Sequence, residues 1–80
     1  MQRLINASRK TVGAKQTQKL IESGRVKVVY VAKDAEERVI SSLLHICKKN
    51  GIEVVYVDSM KELGRACGIK VGAATAAISK

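Results

Sequence analysis

Val26–Ala32 (VKVVYVA) and Ile52–Val57 (IEVVYV) are two β-branched runs of strand length, and the segment between them has the pattern of one helix. Their continuous apolar character predicts strands buried on both faces. Asp34-Ala35-Glu36-Glu37 has the form of a capping box, with the acid of Asp34 at the N-cap and Glu37 three residues on. Val39, Ile40, Leu43, Leu44 and Cys47 then recur at helical spacing, and Asn50-Gly51 closes the segment. A β-α-β unit is therefore the centre of the chain.

The flanks extend the alternation. Ser59-Met60-Lys61-Glu62 is a second cap and opens a short helix over Met60–Ala66, stopped by Gly68. Ala73–Ile78 (AATAAI) is small and apolar, which suits a strand packed tightly between neighbours. On the other side, Lys10–Val12 reads as a short first strand, preceded by a turn or helix over Leu4–Ser8. A helix begins after Gly13 and ends at Gly24. The order β-α-β-α-β-α-β predicts an α/β fold, a three-layer α-β-α sandwich with a four-stranded, largely parallel or mixed sheet. Residues 1–80 form a single domain without linker, repeat or low-complexity segment.

The formal charge is +8 and the pI near 9.9, which points to a polyanionic partner. Arg3, Arg9, Lys10, Lys15, Lys19, Arg25, Lys27 and Lys33 crowd the first part of the chain against the single acid Glu22. The stretch 34–62 is mildly acidic, and Arg65, Lys70 and Lys80 add charge after it with no acid. If the two ends of the chain meet in space, one face is basic. No apolar run approaches the ~18 residues of a membrane span, and no cleavable leader pattern is present, so a cytoplasmic protein without membrane contact is expected.

Catalysis has no candidate set. The sole histidine, His45, is one step off the apolar stripe of its helix, and neither GxGxxG nor GxxxxGK[ST] occurs. Cys47 and Cys67 lack the partners of a zinc site, and two buried thiols are expected. No metal and no cofactor is expected. Tyr30 and Tyr56 are the only aromatics, so there is no platform for stacking single-stranded bases. Recognition must work through charge, amides and backbone, which favours a folded nucleic acid.

Two segments could supply it. Gly13-Ala14-Lys15-Gln16-Thr17-Gln18-Lys19 places two lysines four apart on a helix start, where like charges cost a few tenths of a kcal/mol (~0.2–0.5) unless an anion is near. The free amides and positive dipole end of that helix start also favour an anion. Lys15 can donate to guanine O6/N7, and the Gln16 amide can pair with a base edge. Lys19, one turn on, reaches towards phosphate. The second segment, Leu63-Gly64-Arg65-Ala66-Cys67-Gly68-Ile69-Lys70-Val71-Gly72, holds a loop between glycines in which Ile69 and Val71 flank Lys70. Facing solvent, these aliphatics would cover an unstacked base; facing inward, they would begin the last strand.

These blocks resemble the kink-turn-binding ribosomal protein family of L7Ae and its L30e relatives, in particular the short bacterial members. The block 13–19 resembles the family signature Gly-x-Asn-Glu-x-x-Lys. Val28–Asp34 (VVYVAKD) is similar to its second strand and turn, and Leu63–Ile78 (LGRACGIKVGAATAAI) to its C-terminal signature. The resemblance implies a mixed sheet and a target, the kink-turn, an RNA duplex bent at a bulge beside tandem sheared G·A pairs. By position it implies that Lys15 and Gln16 contact the guanines, that Lys19 and Arg65 support phosphate contacts, and that Ile69, Lys70 and Val71 pack against bulged nucleotides. Gly13 would allow close backbone approach, and Ala14 beside it is counted among the RNA-binding residues.

The chain departs from the pattern in two places. Lys15-Gln16 replaces Asn-Glu, which removes an acidic acceptor, adds a positive charge and should steepen the salt dependence. Gly72 stands where proline is common, which should loosen the free loop. The expected partner is structured RNA (ribosomal RNA, a riboswitch or another small RNA) and with it the large ribosomal subunit, met by a monomer. Two rival readings are a basic scaffold holding ribosomal RNA or DNA through phosphates alone, and a protein–protein module covered at the 63–72 loop.

Overall fold

The computed structural model describes residues 1–80. The elements are α1 (Gln2–Asn6), β1 (Lys10–Val12), α2 (Ala14–Glu22), β2 (Val26–Ala32), α3 (Glu37–Lys49), β3 (Glu53–Val57), α4 (Met60–Ala66) and β4 (Thr75–Ser79). The four strands form one sheet in the order β1-β4-β2-β3. β2 and β3 are parallel, while β4 runs antiparallel to both β1 and β2, so the sheet is mixed. The register pairs Val12 with Ala76 on one side of β4, and Tyr30 with Ala76 on the other.

Helices cover both faces. Leu4 of α1 and Leu63 and Ala66 of α4 pack with Val28, Tyr30, Ala76 and Ile78. Ile21 of α2 and Leu43 and Cys47 of α3 pack with Val29, Val31 and Ala77 on the opposite face. β4 lies in the middle of the sheet, and its small residues Ala76 and Ala77 let both helical layers approach. The expectation of a strand squeezed between neighbours holds, with the strand shifted to residues 75–79.

Two local expectations are corrected. The first is the capping box on α3. That helix begins at Glu37 with no side-chain cap, and the Asp34 carboxylate instead accepts from the Met60 amide at 2.8 Å. Asp34 thus braces the start of α4 alongside Ser59, whose hydroxyl accepts from Glu62 N–H at 3.1 Å. A helix N-terminus distant in sequence out-competes the local one, because the turn after β2 projects Asp34 towards it. The second correction concerns β3. It is an edge strand with only Val57 fully buried, and Tyr56 is 52% exposed, because a sheet edge has one neighbour and partial helical cover. β2, flanked on both sides, is buried as expected except at Lys27.

Cys47 and Cys67 are both buried free thiols on opposite faces of the sheet, so no bond can join them. Burial pushes both thiols up, and the charge of Lys10 offsets this slightly at Cys67.

Candidate nucleic-acid interface

The start of α2 meets Thr75, the first residue of β4 after the 69–72 loop, at one end of the sheet. β1 and β4 pair antiparallel, so the end of β1 lies beside the start of β4. There the Gly13 amide donates to the Thr75 carbonyl at 2.9 Å. Gly13 is the N-cap of α2 with φ +105°, a backbone conformation that favours glycine and turns the chain from strand into helix within one residue. Thr17, one turn in, is fully buried, and its hydroxyl meets that of Thr75 at 3.5 Å. The α2 start is thus tied by backbone and side chain to the residue that ends the 69–74 loop.

The amides of Ala14, Lys15 and Gln16 have no internal acceptor, since the Gly13 carbonyl takes the Thr17 amide at 3.0 Å and no side chain caps the helix. These three donors, with the dipole behind them, favour an anion or a carbonyl edge. Lys15, Gln16 and Lys19 are exposed, and neither lysine has an acidic partner. Gln18 is engaged differently, donating to the Glu22 carboxylate at 3.2 Å.

The loop is held from beneath by α4. Ile69 N–H donates to the Gly64 carbonyl and Ala73 N–H to the Met60 carbonyl, each at 3.0 Å. Gly64 allows this approach: a Cβ at that position would overlap the Val71 carbonyl oxygen. Gly72, expected to loosen the loop, has a packing role, for a Cβ there would stand 3.1 Å from Met60 Cβ. The two aliphatics divide. Ile69 is half-buried against the core, whereas Val71 is 71% exposed and, with exposed Lys70, projects from the loop.

Arg65 borders the 69–72 loop, since its groove includes Gly68. It lines a groove between α1 and α4 with Met1, Ile5 and Lys10 and does not join Lys15 and Gln16. Conversely, Arg38 of α3 lines a shallow groove with Ala14 and Gln18, beside the α2 start. Nothing in the local pattern singles out Arg38, which sits in the mildly acidic middle stretch and lies beside the α2 start because α2 and α3 pack side by side. The two ends of the chain do meet, through β1 and β4. Yet Arg9, Arg25 and Lys80 gather at the sheet end away from Gly13.

Comparison with known proteins agrees with this architecture. Residues 2–80 match the model of the ribosomal protein L7Ae/L30e/S12e/Gadd45 family. The chain is 56% identical over 69 residues to an RNA-binding protein of Caldanaerobacter subterraneus subsp. tengcongensis, covering 86% of this chain and 84% of that one. It is 42% identical over 67 residues to the large ribosomal subunit protein eL8 of Halobacterium salinarum, covering 82% of this chain and 56% of the relative. Among solved structures, a Giardia lamblia 15.5kD RNA binding protein superposes with a TM-score of 0.84 at 30% identity, over 90% of this chain and 61% of that one. A Bacillus halodurans protein of unknown function superposes with a TM-score of 0.86 at 26% identity, over 96% of this chain and 77% of that one. With a match that runs almost end to end and a shared fold, the chain belongs to the ribosomal protein L7Ae/L30e/S12e/Gadd45 family.

Proposed function

We propose that this protein binds RNA and that its target is the kink-turn, which it recognises and holds in the bent form. The observation that carries the reading is the α2 start, where three open amides stand beside exposed Lys15, Gln16 and Lys19, and where Gly13 is bonded to Thr75 of the strand that follows the exposed Val71 loop. Lys15 and Gln16 offer donors to guanine edges in a widened major groove. Lys19 supplies charge to a phosphate, and Val71 offers an apolar surface to an unstacked base. The names of the relatives, RNA-binding proteins and a ribosomal protein, support RNA as the partner.

The mechanism is capture of a conformation. A kink-turn exchanges between extended and bent forms, and a protein that contacts only the bent form shifts the population towards it. No bond is made or broken. The protein acts as a monomer in the cytoplasm, and ribosomal RNA is one RNA that could present the motif.

The test uses a kink-turn duplex labelled at both ends, beside a control with Watson–Crick pairs in place of the sheared G·A pairs, at one salt concentration. Tight binding with a rise in end-to-end energy transfer for the first duplex alone is expected. Equal binding of both would replace the reading with a basic protein that contacts phosphates only.

A further inference from the structure

We propose that the sheet end opposite Gly13 is a second RNA-binding surface, which takes the phosphate backbone of a duplex separate from the one at the α2 corner. The surface is built by three adjacent strands. Ser79 N–H donates to the Arg9 carbonyl at 3.0 Å and Lys80 N–H to the Arg25 carbonyl at 2.7 Å, which places Arg9 and Arg25 on either side of the end of β4. Lys27 joins them through a β-bulge. The register of β2 on β4 slips between Val26 and Val28, so Val26 packs with the α2/α3 face and Val28 with the α1/α4 face. The extra residue, Lys27, is expelled to solvent as the sole exposed side chain of β2. Bulges of this kind re-aim a side chain at the cost of local pairing.

Lysines on edge strands often serve to block pairing with other chains, but β2 is an internal strand and needs no such guard. The ion pairs of the molecule are Arg3 with Glu53 and Lys33 with Asp58, so Arg9, Arg25, Lys27 and Lys80 have no acidic partner. Glu22 and Glu53, the acids near this end, are engaged by Gln18 and Arg3. Asn6, Ser8, Arg9, Lys27, Ser79 and Lys80 line one concave patch, which mixes cations with neutral hydrogen-bonding side chains. That mixture is the set proteins use on phosphate and sugar oxygens. The patch has no aromatic side chain, which favours a duplex backbone over a single strand.

Strands rise ~3.3 Å per residue, so β2 separates the two ends by roughly 20 Å. The surfaces face opposite ways, and one molecule can therefore hold two RNA segments.

The probe is a plain RNA duplex with no bulge, which makes the result independent of kink-turn recognition. Amide shifts on titration should appear at Ser8, Arg9, Lys27 and Ser79. The triple variant Arg9→Gln/Arg25→Gln/Lys27→Gln should bind the plain duplex weakly, with a log–log salt slope shallower by about three. A charge-preserving Arg9→Lys/Arg25→Lys variant should keep the wild-type slope. In the complementary arm, Lys15→Ala/Lys19→Ala should leave those amide shifts in place. Shifts confined to 13–19 and 69–71, or a triple variant with unchanged affinity and slope, would overturn the proposal.

Discussion

The hydroxyls of Thr17 and Thr75 meet at 3.5 Å in a fully buried site, 58 residues apart in sequence. They are the buried polar side chains of the molecule, and each is the other's partner. Replacing Thr17 by Val leaves the Thr75 hydroxyl buried without a side-chain partner, which should cost about 1–3 kcal/mol. Replacing both removes the orphan, and the double variant should recover much of that loss. Urea unfolding of the four proteins of the cycle measures it; additive single effects would mean that the two hydroxyls do not act as a pair.

Gly64→Ala sets two effects against each other. Alanine gains up to about 1 kcal/mol of helix propensity over glycine. Against this, the new methyl overlaps the Val71 carbonyl, and a backbone group cannot swing aside as a side-chain tip would. Overpacking costs ~1–3 kcal/mol, so net destabilisation and a displaced 69–72 loop are expected. Thermal unfolding reports the first, and the methyl resonances of Val71 report the second.

Variants at the α2 corner should separate by type. Lys15→Ala and Gln16→Ala should each cost ~1–3 kcal/mol in binding a kink-turn RNA, and little in binding a plain duplex. Lys19→Ala should weaken binding to both, with a salt slope lower by about one. Val71→Ala should weaken only RNAs that carry an unpaired bulge. Binding titrations over a range of salt distinguish the sets.

The Arg3 guanidinium, by hydrogen bond and then by charge, holds the Glu53 carboxyl below its ordinary value. The folded value is lowered, so the pair's contribution is present above the unfolded carboxylate pKa and is lost as pH falls through the folded one. The pair is solvent-exposed and should fade with added salt. In Arg3→Ala, the Glu53 carboxyl should titrate at higher pH, read from its side-chain carbon resonance.

Much of this architecture was legible from local pattern. The β-branched run of β2, the Ser59 cap of α4 and the small residues of β4 all describe their own surroundings, and each element formed close to where it was expected. What escaped depends on partners far away in sequence. Asp34 carries a strong local capping signal, yet its carboxylate reaches Met60, 26 residues on. The run 52–57 reads like 26–32, and only strand order makes one an edge and the other a centre. Lys27 looks like one more surface lysine until the register of β2 against β4 is known. At the candidate site, Lys15 and Val71 were visible as residue types. That Gly13 bonds to Thr75, tying the first segment to the strand that follows the second, was not.

The placement of β4 has a consequence for how the chain comes into being. β1 emerges early from the ribosome, but its only partner in the sheet is the strand at residues 75–79. Until Thr75 has been synthesised, Gly13 has no carbonyl to fix it, and the β2–β3 pair lacks its other neighbour. Closure therefore waits on contacts between opposite ends of the chain, the kind that form slowly. The bond from Gly13 to Thr75 that anchors the α2 start can therefore form only after the last strand has been made.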